Sequence, residues 1–172
     1  MAKHPQTPSG AVPAPVPADA EERYAAWLGE ALALASAARS TEDVPVGAIV
    51  IGPEGAVVGR GSNEREEHGD PTAHAEVVAL REAARAVGSW RLDGCTLAVS
   101  LEPCVMCAGA AMAARLELIV FGAWDPKAGA CGSVWDLTRD PLATHTVEVV
   151  GGVRAEESAA LLVDFFDGRR LR

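Results

Sequence analysis

Cys104 and Cys107 stand three residues apart, directly after Pro103 and ahead of an alanine-rich run. In the first turn of a helix, residues at that spacing share a face, with their sulfurs about one turn apart. A zinc ion, at about 2.3 Å from each thiolate, bridges such a gap. The positive end of a helix dipole also favours the thiolate form that metal binding needs. Pro103 suits a helix start, where a missing N–H forfeits no intrahelical bond. By itself a Cys-x-x-Cys pair is also compatible with a redox site or a zinc ribbon. His74, in Thr72-Ala73-His74-Ala75-Glu76, is the candidate third ligand, and the redox reading leaves this second segment unexplained.

The two segments together resemble the His-x-Glu…Pro-Cys-x-x-Cys signature of zinc-dependent nucleobase deaminases. That resemblance implies zinc, one per subunit, held by His74, Cys104 and Cys107, with Glu76 as the catalytic acid and base. Three protein ligands leave a fourth tetrahedral position for water, the mark of a catalytic site. Water in that position has a pKa near 7, and a neighbouring carboxylate that does not bind the metal can move its protons.

The elements that must position these residues follow from periodicity. Tyr24, Trp27, Leu28, Ala31, Leu32, Ala35 and Ala38 recur at helical spacing, so a long amphipathic helix is expected from residue 19. Asp19 followed by Glu22 resembles a capping box at its start. Residues 46–51 and 56–60 read as a hairpin around Gly52-Pro53-Glu54-Gly55. The polar stretch 61–73 reads as a loop, and a helix follows over 74–87 with Gly88 as its stop. A strand at 96–101, a helix reaching Arg115, strands at 118–121 and 146–150 and a helix at 155–166 complete the order. Such alternation implies an α/β sheet with helices on both faces.

Further segments carry a closer resemblance: Val44-Pro45-Val46-Gly47-Ala48, Asp70-Pro71-Thr72-Ala73-His74-Ala75-Glu76, Leu101-Glu102-Pro103-Cys104-Val105-Met106-Cys107-Ala108-Gly109-Ala110, Val120-Phe121-Gly122-Ala123 and Ala159-Ala160-Leu161-Leu162-Val163-Asp164-Phe165-Phe166. On these the chain, over about residues 20–170, resembles the bacterial tRNA-specific adenosine deaminase family. The resemblance implies a cytidine-deaminase-like three-layer α/β/α sandwich with a mixed five-stranded sheet, and a homodimer. The implied reaction is hydrolytic conversion of adenosine to inosine at the wobble position of a tRNA anticodon loop. It also implies substrate contacts from Asn63 and the backbone at Ala75, and RNA contacts from Asp125, Lys127, Arg169 and Arg170. No organic cofactor is expected. Two other readings stand beside it. One is a deaminase of free guanine, cytosine or adenosine; the other is a non-catalytic zinc-stabilised module in which Cys131 closes a four-ligand site.

The bulk composition limits the partners. The 172 residues are 49% hydrophobic and carry a formal net charge of −9, so the chain has no general attraction for polyanions. Residues 1–18, with five prolines and no large apolar residue beyond valine, read as a disordered tail before a deaminase domain over 19–172. No apolar run approaches the ~18 residues of a membrane span and no secretory signal is evident, so a cytoplasmic protein with no membrane partner is expected. In a reducing compartment Cys95 and Cys131 read as small core residues, and His68 and His145 as exposed loop residues.

Overall fold

The computed structural model describes residues 18–38 and 41–170. The tail expected over 1–18 therefore lies outside the described residues except for Ala18, which already opens a helix. Helix α1 spans Ala18–Ala38, so Asp19 sits in its first turn and is not the cap expected for a capping box. Its carboxylate there complements the helix dipole instead.

Strands β1 (Gly47–Ile51) and β2 (Val57–Ser62) form the hairpin, closed by Gly52 and Ala56 through a 2.8 Å backbone bond. The polar stretch after β2 is not wholly a loop. It contains a one-turn helix, α2 (Arg65–His68), so His68 is helical and pairs with Glu64. Buried Asp43 accepts from the N–H groups of Glu66 and Glu67 at 2.9 and 3.2 Å. A carboxylate distant in the chain thus satisfies this helix start. Next come α3 (Ala75–Val87), β3 (Thr96–Leu101), α4 (Val105–Ala113), β4 (Leu118–Ala123), a 3-10 turn over Leu137–Arg139, β5 (Glu148–Gly151) and α5 (Ala155–Arg170). Helix α4 stops short of Arg115, which takes a left-handed φ of 66°. His145 is not an exposed loop residue; it is half-buried and its Nε2 bonds the Leu116 carbonyl at 2.6 Å.

The five strands lie in the order β2-β1-β3-β4-β5. β1 is antiparallel to β2 and β3, whereas β3, β4 and β5 run parallel, so the sheet is mixed as expected. Side chains alternate between two apolar layers. Ala48, Val50, Leu97, Val99, Ile119 and Phe121 join the core under α3 and α4. Ile49, Ile51, Ala98 and Val120 pack on Leu28 of α1 on the opposite face. Burial on both faces is why β1, β3 and β4 read as nearly continuous apolar runs. No helix among the described residues is long and apolar enough to cross a membrane.

One contact fixes α3 against the sheet. A methyl group on Gly59 would run into the Ala79 carbonyl and stand 2.7 Å from Ala83 N. A methyl on Gly61 would meet the Ala75 carbonyl and lie 2.6 Å from Ala79 N. Here the helix backbone rests directly on the strand backbone, which only glycine permits.

Candidate metal centre and substrate cavity

His74 is the N-cap of α3 and Cys104 the N-cap of α4, both with extended backbone, and neither side chain caps its own helix. Pro103 therefore precedes the cap and does not occupy the first helical position. Both cap side chains are left free to point at a common centre, with Cys107 one turn into α4. His74 Nδ1 lies 3.7 Å from Cys104 Sγ and 3.5 Å from Cys107 Sγ. Tetrahedral zinc with ordinary Zn–S and Zn–N bonds requires that separation to be about 3.6 Å. Among the described residues these three form the one group of His, Cys, Asp or Glu side chains able to hold a metal ion, and their ligand atoms lie within 4.8 Å of one another. Cys131 is buried but outside this group, so the closed four-ligand arrangement is not what the chain forms.

The electrostatics suit a cation. Hydrogen bonds from Cys107 and His74 hold the Cys104 thiol down at about 3 against the effect of burial. Cys107, donating to Cys104 and buried beside that charge and Glu76, is pushed far up. His74 is raised, chiefly by its bond to Cys104. The pair of thiols thus shares one proton, and a divalent cation in the proton's place holds both as thiolates. The N-termini of α3 and α4 add positive potential at the same point.

Glu76, in the first turn of α3, is 4% exposed and outside the ligand group. Burial pushes its carboxyl up to about 7. A proton is then readily taken or given near neutral pH. Its side chain opens on a cavity of about 150 Å³ shared with His74, Ala75, Cys104, Asn63, Arg65 and Asp125. A single water needs about 10–15 Å³, so the space admits a planar ring.

Asn63 donates from Nδ2 to the Val44 carbonyl at 3.2 Å, which leaves Oδ1 without a partner. Among the described residues it is the one buried side-chain oxygen or nitrogen in that state. An orphaned buried acceptor costs about 1–3 kcal/mol until a donor arrives. The cavity supplies the place for that donor.

Asp125 lines the same cavity, and its side chain accepts from the Lys127 N–H at 2.9 Å. Lys127 and Arg169 instead border a second cavity against α5. The Arg169 guanidinium bonds the Glu42 carbonyl at 2.6 Å and lies over the Phe165 ring. Arg170 is the last residue of α5. The expected contacts therefore divide between two neighbouring cavities, with residues 125–127 joining them.

Two cavity residues escaped the sequence reading. Arg65 gave no signal because α2 looked like loop. Glu102 did give one, since a carboxylate between Leu101 and Pro103 in a buried run must be satisfied. It is 2% exposed, and its oxygens accept from the N–H groups of Asp125, Cys131 and Ser133 at 3.0, 3.0 and 3.1 Å and from Ser133 Oγ at 2.6 Å. One side chain thus fastens the segment 125–133 to the end of β3. Glu102→Ala strands three backbone donors, so urea unfolding is expected to give a loss of about 3 kcal/mol or more. A loss below about 0.5 kcal/mol would rule this clamp out.

Residues 21–123 match the model of the cytidine and deoxycytidylate deaminase zinc-binding region. The chain is 53% identical to a tRNA(Ile)-lysidine synthase of Deinococcus radiodurans over 147 residues, which is 86% of this chain and 25% of that protein. It thus spans about a quarter of the length of that relative and of its Deinococcus deserti counterpart. Similarity to the tRNA-specific adenosine deaminase of Bacillus subtilis is 43% identity and covers 85% of this chain and 89% of that one. Among solved structures, one from work on A-to-I editing by tRNA:A34 deaminases at the wobble position superposes with a TM-score of 0.77. It is 39% identical and the match covers 80% of this chain and 99% of that one.

Proposed function

Because this chain belongs to the cytidine and deoxycytidylate deaminase family of zinc-binding proteins, we propose that it hydrolyses the wobble adenosine of a tRNA anticodon loop to inosine. The observation that carries the reading is the buried Glu76 carboxyl, which faces the same cavity as a three-ligand cluster without joining it. Nearly full-length likeness to a protein named tRNA-specific adenosine deaminase supports the RNA substrate over a free base.

His74, Cys104 and Cys107 hold zinc, which when bound activates water as a nucleophile at neutral pH. Glu76 takes one proton from the attacking water and gives it to the purine ring nitrogen, then takes the second from the added hydroxyl and gives it to the amine, which departs as ammonia. Asn63 Oδ1 accepts a hydrogen bond from the flipped-out nucleoside, and the N–H of Ala75 at the helix start orients the reacting group. Asp125 at this cavity and Lys127 and Arg169 at the adjoining one contact the RNA, together with Arg170 at the end of α5. The domain comprises residues 19–172, works as a homodimer and resides in the cytoplasm.

An anticodon stem-loop with adenosine at the wobble position is expected to yield inosine, while free adenosine is not turned over. Release of ammonia from guanine or cytosine, with none from the stem-loop, would replace this reading by that of a free-base deaminase.

A further inference from the structure

Trp124 follows β4 directly and is 49% exposed, although it stands beside Asp125 at the cavity wall. Its indole is far from loose. The ring meets the fully buried Phe121 at 4.7 Å and at right angles. It also lies across main chain bare of side chains. A methyl on Gly151 would come within 2.9 Å of Cζ2, one on Gly132 within 3.5 Å of Cζ3, and one on Gly152 within 3.7 Å of Nε1. Asp125, the next residue, is held by Glu102. The result is an aromatic side chain held against Phe121 and the glycine backbone of two other segments, about half exposed, and next in the chain to a residue of the cavity wall.

We propose that Trp124 is a stacking platform for the nucleobase that adjoins the deaminated adenosine in a single-stranded RNA loop. The proposal rests on the RNA reading above. To enter the cavity, the target base must leave its stack, and its neighbours then lose a stacking partner. An aromatic side chain fixed at the rim restores one of those contacts, in the way unpaired bases are commonly held. Stacking also suits a chain with net charge −9, because it draws little on attraction for phosphate. Asp125, the residue after Trp124, lines the cavity, and this closeness favours a substrate base as the occupant over a second protein surface.

The test uses the zinc-loaded full chain and anticodon stem-loops in which either neighbour of the wobble adenosine is replaced by an abasic site. Trp124→Ala is expected to raise KM about 5- to 100-fold with kcat little changed, and Trp124→Phe to recover much of the loss. One of the two abasic stem-loops should show a comparable KM rise with the wild-type chain and almost no further rise with Trp124→Ala. The dependence of KM on salt should keep its slope, whereas loss of a phosphate contact would lower it by about one. Unchanged KM for Trp124→Ala overturns the proposal, as do fully additive losses with both abasic stem-loops. A shift of the variant from dimer to monomer does so too, because it would assign this face to a second copy of the chain. If Trp124→Ala does not fold, Trp124→Phe and the wild-type abasic series decide, and wild-type indifference to both abasic sites overturns the proposal. No turnover of the intact stem-loop by the wild type would overturn the RNA reading itself and this proposal with it.

Discussion

Glu76→Gln is expected to retain zinc and fold and to lose deamination by about three orders of magnitude. The substitution keeps the size and planarity of a side chain buried to 4% exposure, so the packing under α3 is not disturbed. What it removes is the carboxyl proposed to accept and return protons. Positioned general acids and bases contribute about 10²- to 10⁴-fold, and one residue serving two proton transfers belongs toward the upper end of that range. Single-turnover inosine formation on the stem-loop measures the loss, and zinc content with a thermal melt measures what is kept. Activity within tenfold of wild type would remove Glu76 from the chemistry. Loss of zinc would make it a fourth ligand.

Removing the metal has the largest expected effect on stability. His74 and Cys104 are 30 positions apart and begin two different helices, so a shared ion closes a long loop of chain. Treated as a cross-link, closure of about 30 residues restricts the unfolded chain by roughly 3–4 kcal/mol. The stripped protein also confines two thiols that compete for one proton. Chelation should therefore lower Tm by roughly 10 °C in a chain of this length and abolish activity, and restored zinc should reverse both. His74→Ala should resemble the stripped protein and respond no further to chelator. A chain that loses its zinc with no change in Tm would show that the helix starts are held without the ion.

The legibility of this molecule from its sequence divides along chain distance. Cys104 and Cys107 are legible because their spacing at a helix start puts both sulfurs on one face, whereas His74 and Glu76 are legible only through the likeness of their segment to the deaminase signature. Strand β3 was readable to the residue, since a run of apolar residues is bounded by Gly94 and Pro103. The other strands were found with their ends displaced, because Ser62 and Ala123 belong to strands by virtue of their partners across the sheet. Helix α2 was missed for the same reason, as its start depends on Asp43. The role of Glu102 does not show in its local sequence, because its donors lie on a segment 23 to 31 positions away. Trp124 is the reverse case. Its local sequence looks like a solvated turn, and Phe121 together with the glycines brought against it from 132, 151 and 152 makes it a fixed surface.

The seating of α3 on bare strand backbone at Gly59 and Gly61 bears on how such a protein can change over time. Interdigitated side chains couple the position of a helix to every substitution along its buried stripe. Main chain resting on main chain has no such dependence, because the spacing is set by atoms that mutation cannot alter. On the outward face of α3, Arg85 is therefore free to drift or to be redesigned for solubility, whereas Glu82 accepts from the Arg60 N–H at 3.0 Å and Arg81 pairs with Asp70. His74 and Glu76 keep their positions throughout. The tolerance has a sharp boundary at the two glycines, where even one added methyl would move the helix and the chemistry it carries.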